Sequence, residues 1–237
     1  MAYKASLARR SFEQQSKIYQ STLKIAAAKS IDPSIREYVV AAAVFLGHAT
    51  LENYIKEIFD AIAKAFCSTG VISSKLPQEL RIFTLSKSAN WELNYLNFNF
   101  SGDEGRLLAN LAQVFKNKKL PLINDADHAP KITGSEILSG KGYPSIENLE
   151  KVFARIGINN LFDRINKILK TNGKFLLKSF SDKRTELAHN AVMPGTNVQD
   201  IINELKKINF LITAIDRICY AHVSKHVTQR AWFLEAC

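Results

Sequence analysis

Apolar residues recur at every third or fourth position along most of this chain, which is the spacing of one face of an α-helix. The two longest such series lie near the two ends of the sequence: Val44, Leu51, Ile55, Ile58, Ile62 and Phe66, and then Ile201, Leu205, Ile208, Leu211, Ile215 and Ile218. No run alternates apolar and polar residues for long enough to predict a strand. The pattern therefore predicts an all-α bundle.

Residues that start and stop helices divide this pattern into elements. Residues 3–29 predict a first helix, and Asp32 followed by Pro33 predicts the start of a second, which runs to about Phe66. The last long helix is expected to open with a capping box of Thr196 and Gln199. The apolar side of the first helix is expected to comprise Leu7, Phe12, Ile18, Leu23 and Ile25. Further helices are predicted over 76–87, 105–117, 145–156, 160–170 and 174–190.

The middle of the chain is less regular. Residues 91–105 mix aromatic residues and asparagines without a period, and residues 118–144 are rich in proline and glycine. We interpret approximately 85–144 as an irregular insertion or long loop within a single domain of residues 1–237. Loops of this length inside a domain are often functional.

Composition narrows the class of protein. The chain has 237 residues, 46% hydrophobic and 23% charged, which is typical of one globular domain with a self-sufficient core. Three cysteines without metal-ligand spacing predict reduced thiols, and no segment resembles a signal peptide or a membrane span. We therefore expect a cytoplasmic protein without a membrane partner. Its formal charge of +10 favours a polyanionic partner, and RNA is the candidate.

One arginine and one histidine stand out near the end of the helix predicted over 174–190. Arg184 and His189 are five residues apart, which on an ideal helix is about 140° of rotation and ~7.5 Å of rise. The two side chains can meet at one phosphate by two routes. Either the helix loosens near His189, or a second copy of the protein brings the two groups together. The sequence of one chain leaves both routes open.

The segment "RTELAH" (184–189), followed by Asn190, resembles the Arg-x4-6-His motif of the HEPN superfamily, with the RiboL-PSP-HEPN type as a candidate within it. The segment "LENYIKEIF" (51–59) is similar to an early helix of that superfamily, which carries an acidic residue such as Glu52. The resemblance covers approximately 33–67 and 145–227 and leaves the insertion out. One departure is Thr185, since many members carry an amide or an acid directly after the arginine.

The resemblance implies an all-α, HEPN-like fold and a metal-independent endoribonuclease that needs no cofactor. It also implies a homodimer whose two motifs share one cleft, cleavage by attack of the RNA 2′-hydroxyl, and products with a 2′,3′-cyclic phosphate and a 5′-hydroxyl. The candidate catalytic residues are then Arg184, His189, Glu52 and Asn190. Glu52 is expected to orient Arg184 or His189, and Asn190 to contact the phosphate or to cap the helix.

The residue types fit this chemistry independently of the resemblance. Histidine titrates near neutrality, so His189 can accept or donate a proton during the attack. The planar guanidinium of Arg184 can bind two phosphate oxygens as negative charge develops on them. The alternative interpretation is structural: Arg184 pairs with a carboxylate, and His189 stabilises the C-terminal end of its helix.

A row of cations leads to this motif. Arg164, Lys167, Lys170, Lys174 and Lys178 follow one another at intervals of three or four without an acidic residue up to Ser181, and Lys183 precedes Arg184 directly. We expect the RNA to contact Lys170, Lys174, Lys178 and Lys183. The alternative is an ordinary solvated lysine surface.

Other chemistry-bearing residues favour structural roles. His222 and His226 have a spacing that can hold zinc, but no third ligand lies near them in sequence, so we expect a solvated helix face and no metal. His128 with Asp125 and Asp127 forms no convincing metal pattern either. Trp91, Tyr95, Phe98 and Phe100 are candidates for stacking on RNA bases, although packing within the insertion is the simpler expectation.

Two functional hypotheses remain from the sequence. The first is an RNA-cleaving toxin or phage-defence effector, with an antitoxin or another defence protein as a candidate partner. The second is a helical module that binds a nucleotide, RNA or protein without cutting anything. The positive charge and the helical pattern fit both.

Overall fold

The computed structural model describes residues 2–68, 71–88, 105, 108, 131–190 and 197–237. Within these residues the chain forms nine α-helices, a short 3-10 turn at Ser73–Lys75 and no β-strand, which confirms the all-α prediction. The helices are α1 (Leu7–Ala26), α2 (Pro33–Phe66), α3 (Gln78–Ser88), α4 (Gly134–Leu138), α5 (Ile146–Arg155), α6 (Leu161–Leu169), α7 (Gly173–Asn190), α8 (Val198–His226) and α9 (Gln229–Glu235).

Two long helices form the centre of the bundle. α2 has 34 residues and α8 has 29, and both apolar series predicted from the sequence are buried along them. α2 packs against α1, α4, α7, α8 and α9, while α8 also packs against α1, α6, α7 and α9. None of the described helices combines the length and apolar character that crossing a bilayer requires.

The helix ends show which capping predictions were right. Asp32 caps α2 by accepting a hydrogen bond from the Ser34 N–H, and Pro33 occupies the first helical position, as predicted. The prediction of a Thr196–Gln199 capping box at the start of the last long helix was wrong. The N-cap of α8 is Asn197, whose side chain accepts from the Gln199 N–H at 3.0 Å, whereas Thr196 lies outside the described residues.

The apolar side predicted for α1 was only partly right. Phe12 and Leu23 are buried, but Leu7, Ile18 and Ile25 are 60%, 48% and 68% exposed. These three residues lie about 120–140° around the helix from Phe12 at 100° per residue, so they cannot share its face. α1 therefore buries a narrow stripe against α2 and α8.

The described residues of the region expected to be an irregular insertion include helical parts. α3 continues to Ser88, and α4 occupies residues that we had assigned to a loop. The close approach of Gly134 to Asp60 fixes α4 against α2, because a Cβ there would lie 2.2 Å from the Asp60 Oδ1 atom. Gly105 and Leu108 are helical, and the other residues of the helix predicted over 105–117 lie outside the described residues.

α2, α7 and α8 meet at Gly47 and His48. A Cβ at Gly47 would lie 2.9 Å from the Phe180 Cζ of α7 and 3.0 Å from the Leu205 Cδ2 of α8, so a larger residue would force these side chains to shift. The buried ring of His48 stacks on the ring of Phe180 at 4.2 Å between centroids and 5° between planes. The His48 Nε2 atom lies 3.0 Å from the Phe180 carbonyl oxygen. This three-helix junction sets the depth and rotation of α7.

The N-terminal segment is held by one buried carboxylate on α8. Asp216 accepts hydrogen bonds from the Tyr3 hydroxyl at 2.6 Å, from the Ser6 hydroxyl at 2.5 Å and from the Ser6 N–H at 3.1 Å. The Arg9 guanidinium donates to the Tyr3 oxygen at 2.8 Å. Asp216 is fully buried, and burial raises the pKa of its carboxyl, while the hydrogen bonds from Ser6 and Tyr3 oppose that shift. We call this group the N-terminal latch.

The expectation of a solvated face at His222 was wrong. His222 is buried on α8, beside Phe66, and its Nε2 atom lies 2.7 Å from the Ile156 carbonyl oxygen. Burial, reinforced by nearby positive charges, lowers the pKa of His222 from its ordinary 6.5 to about 3. The imidazole is therefore neutral at physiological pH and donates to the loop that follows α5.

We predict that Gly47→Leu destabilises the fold by about 1–3 kcal/mol or more, since the new side chain must displace Phe180 and Leu205. Ala49→Leu is the matched control, because Ala49 lies on the exposed side of the same helix and its change should stay within about 0.5 kcal/mol. Chemical denaturation of both variants measures the difference. Equal stabilities would contradict the three-helix junction.

We predict that His222 makes the fold less stable in mild acid. Between pH 6.5 and about 3 the unfolded state binds one more proton at this residue, so the free energy of unfolding falls as the pH falls. From pH 6.5 to 4.5 the wild type should lose about 2 kcal/mol more than His222→Gln, which keeps an N–H donor but does not titrate. Denaturant unfolding at each pH tests this, and parallel pH profiles would contradict it.

Candidate functional site

The arginine and the histidine of the motif lie on one continuous helix. α7 runs without a break through Asn190, so the route in which the helix loosens near His189 is not seen. Arg184 and His189 therefore stay about 140° apart around the helix axis. A single chain does not bring the two groups together, which leaves the second-copy route.

Arg184 is half-buried and points towards the loop that precedes α5. Its guanidinium carbon lies 5.4 Å from the ring centroid of Tyr143. Among the residues that the structure describes, no carboxylate forms an ion pair with Arg184 and no acceptor takes a hydrogen bond from it. The structural alternative, in which a carboxylate neutralises Arg184, therefore has no support within the described residues. No described residue occupies the N–H donors of the guanidinium.

His48 supports the turn of α7 that precedes Arg184. Because its Nε2 atom faces a carbonyl oxygen, Nε2 carries the proton, and the Nδ1 atom is buried without a partner among the described residues. Burial lowers the pKa of His48, the hydrogen bond to Phe180 opposes this, and the positive charge of Arg184 lowers it further. His48 is thus a neutral support for a helix that carries a cation.

Glu52 lies on α2, one turn after His48, just as Arg184 lies one turn after Phe180 on α7. His48 and Phe180 are in contact, and α2 and α7 pack against each other. Glu52 is half-buried and forms no ion pair or hydrogen bond within the described parts of the chain. The structure thus places Glu52 on the helix that packs against α7 without joining it to Arg184.

His189 is exposed in the last turn of α7. An imidazole at a helix C-terminus is stabilised when protonated, so the structural alternative for this residue remains compatible with its position. Exposure also leaves His189 accessible to RNA or to a second copy of the chain. Asn190 ends α7, and its side chain lies outside the described residues.

The four lysines expected to contact RNA differ in their surroundings. Lys174 pairs with Glu150 at 2.8 Å, and Lys178 pairs with Asp182 at 2.8 Å, so nearby carboxylates offset both charges. Lys170 is exposed at the C-cap of α6, and Lys183 is half-buried beside Arg184. Neither of these two forms an ion pair with a residue that the structure describes. Of the four lysines, Lys170 and Lys183 therefore carry the charge that no described carboxylate offsets.

The other candidates are placed as follows. His226 is half-buried, and its Nδ1 atom lies 3.2 Å from the Lys75 carbonyl oxygen. Across the described ranges, no group of three or more histidine, cysteine, aspartate and glutamate residues is placed to hold a metal ion. The remaining candidates lie outside the described residues: Trp91, Tyr95, Phe98, Phe100, Asp125, Asp127 and His128.

Sequence reasoning missed two residues of this region. Tyr143 lies in a loop without periodicity, and no sequence signal connects it with Arg184 forty residues later. His48 did leave a signal, since it is the only ionisable residue within the apolar run from Val39 to Leu51. A buried histidine in such a run needs a hydrogen-bond partner, which here is the Phe180 carbonyl.

Comparison with known proteins identifies the family of the chain. No curated protein and no solved structure matches the chain at a significant level. The family model RiboL-PSP-HEPN matches residues 10–221, which is most of the chain and includes α2, the region between α2 and α7, and the motif itself. The resemblance found in the Arg184–His189 segment is confirmed: the chain belongs to the RiboL-PSP-HEPN family of the HEPN superfamily.

Proposed function

We propose that this protein is a metal-independent endoribonuclease that acts as a toxin or phage-defence effector in the cytoplasm. The observation that carries the proposal is the state of Arg184 in a chain of the RiboL-PSP-HEPN family. Its guanidinium lies over an aromatic ring, without a carboxylate among the described residues, with its donors open to a phosphate. A guanidinium in this state is suited to binding the charge that develops during phosphoryl transfer.

In the proposed reaction the RNA supplies its own nucleophile. His189 accepts the proton of the 2′-hydroxyl, whose oxygen attacks the adjacent phosphorus while the bond to the 5′-oxygen of the next nucleotide breaks. The leaving oxygen takes up a proton from water, which yields a 2′,3′-cyclic phosphate and a 5′-hydroxyl. Arg184 stabilises the additional negative charge on the phosphate oxygens. Glu52 and Asn190 serve to orient these groups, and no metal or cofactor takes part.

The separation of Arg184 and His189 makes a second copy of the chain part of this proposal. In a homodimer, Arg184 of one protomer and His189 of the other lie in one cleft. A partner such as an antitoxin would then inhibit by covering that cleft or by separating the protomers.

We predict that Arg184→Ala and His189→Ala each lower RNA cleavage by about 10²–10⁴-fold, because each removes a group that acts in the transition state. The assay follows a single-stranded RNA in the presence of a chelator. Arg230→Ala and His226→Ala are the matched controls and should cleave like the wild type. Melting temperatures confirm that the variants are folded.

The same two variants test the second-copy arrangement. Neither cuts alone, but in a mixture each mixed dimer contains one cleft with an intact Arg184 and an intact His189, so activity should return. Unchanged cleavage by His189→Ala, or cleavage of a substrate whose 2′-hydroxyls are methylated, would contradict the proposed mechanism.

The distance between the two motif residues on one chain also favours a second candidate function, which is RNA binding without cleavage. A module of this kind needs the cations but not the His189 proton transfer. It predicts salt-dependent binding of single-stranded RNA by a protein that yields no cleavage product under any of these conditions.

We predict that Lys183→Ala weakens RNA binding more than Lys178→Ala, because the charge of Lys178 is already offset by Asp182. Removing one phosphate contact should reduce the slope of log affinity against log salt by about 0.7 for a single strand. Lys183→Ala should show this reduction, whereas Lys178→Ala should leave the slope unchanged. Fluorescence anisotropy with a 2′-O-methylated RNA at several salt concentrations measures both slopes, and equal slopes would count against the prediction.

A further inference from the structure

Tyr143 lies in a loop whose backbone is fixed on both sides. The Tyr143 carbonyl oxygen accepts hydrogen bonds from the Ser145 N–H at 2.9 Å and from the Asn148 side chain at 3.0 Å. The next residue, Pro144, is buried, and Ser145 caps α5. The ring itself is 36% exposed. Tyr143 is therefore held at the surface by a rigid backbone.

This loop bridges the two helices that form the candidate site. Gly142 lies near the side chain of Lys56 on α2, since a Cβ on Gly142 would lie 3.8 Å from the Lys56 Cε. Tyr143 lies against α7, with the Arg184 guanidinium carbon 5.4 Å from its ring centroid. One turn earlier on α7, Phe180 contacts His48 of α2. The position of Arg184 thus depends on two contacts: His48 fixes α7 one turn earlier, and the Tyr143 ring lies against the guanidinium.

An aromatic ring holds a guanidinium differently from a carboxylate. A carboxylate neutralises the charge and occupies two of the five N–H donors, whereas the face of a ring attracts the cation and leaves those donors to other acceptors. In the structure, Tyr143 is the one contact that the described residues give to the Arg184 side-chain charge. A phosphate that arrives there meets a positioned guanidinium with its full charge.

We propose that Tyr143 is the positioning residue for Arg184, and that its ring aims the guanidinium at a phosphate of bound RNA. This inference rests on the proposed RNA site and names a residue that determines how that site works. The tyrosine hydroxyl forms no hydrogen bond with any described residue, so the ring, not the hydroxyl, positions the guanidinium. The Tyr143→Phe variant should therefore keep the positioning of Arg184, and the Tyr143→Leu variant should lose it.

The test is a double-mutant cycle on RNA affinity. We compare wild type, Tyr143→Leu, Arg184→Ala and the double variant in the full chain, with a 2′-O-methylated RNA that cannot be cut. Tyr143→Leu should weaken binding about 2- to 30-fold when Arg184 is present, as expected for a lost cation–π contact. It should have no effect when Arg184 is alanine, because the ring then has no cation to position.

Two controls separate positioning from a general structural effect. Tyr143→Phe should bind like the wild type. Tyr38→Leu should do so too, because it removes an aromatic residue that is 75% exposed and lies on α2, away from Arg184. The melting temperatures of all variants report whether the fold is intact.

The possible outcomes decide between the inference and the proposed function. A folded Tyr143→Leu variant with wild-type affinity, or one that loses the same factor with and without Arg184, overturns the positioning role. Wild-type affinity in Arg184→Ala, or no RNA affinity in the wild type, overturns it as well. If the cycle shows the expected coupling and the wild type cuts no RNA, the inference stands and the proposed cleavage fails.

Discussion

The stacked pair of His48 and Phe180 is the contact on which the rest of the candidate site depends. It joins α2, the longest of the described helices, to the helix that carries the motif, and the preceding residue is Gly47, whose missing side chain leaves room for the close approach of Phe180 and Leu205. Burial lowers the pKa of His48, and so does the nearby Arg184, although the hydrogen bond to Phe180 opposes the shift; the position therefore favours the neutral ring. A neutral, flat and hydrogen-bonded side chain therefore sets the position of a permanent cation one turn further along α7.

The fold could be predicted from the sequence wherever a helix carries its own signal. The buried series of α2 and α8 follows from periodicity, and the start of α2 follows from Asp32 and Pro33. Prediction failed where the decisive partner is distant in sequence. His222 looks like a solvated residue until α8 places it beside the Ile156 carbonyl, and three apolar residues of α1 look like core although their rotation around the helix excludes it.

The same limit applies to the site. Arg184 and His189 were found because their motif is local, and their separation of 140° follows from helix geometry. The partner of Arg184 could not be found, since Tyr143 belongs to a loop without a pattern. In the sequence, the lysines of the row that leads to Arg184 look equally unpaired, because Glu150, which pairs with Lys174, belongs to another helix. Charge counted along a sequence overestimates the charge that a surface presents.

The N-terminal latch has a consequence for the order in which the chain assembles. Tyr3 lies 213 residues before its buried partner, Asp216, and Trp232 of α9 donates to the Lys4 carbonyl at 2.9 Å. During synthesis on the ribosome the segment of Tyr3 and Ser6 is thus made long before the residues on which it docks. The chain can close its bundle only when translation of α8 and α9 is complete, so a truncated product lacks the partners that hold α1 in place.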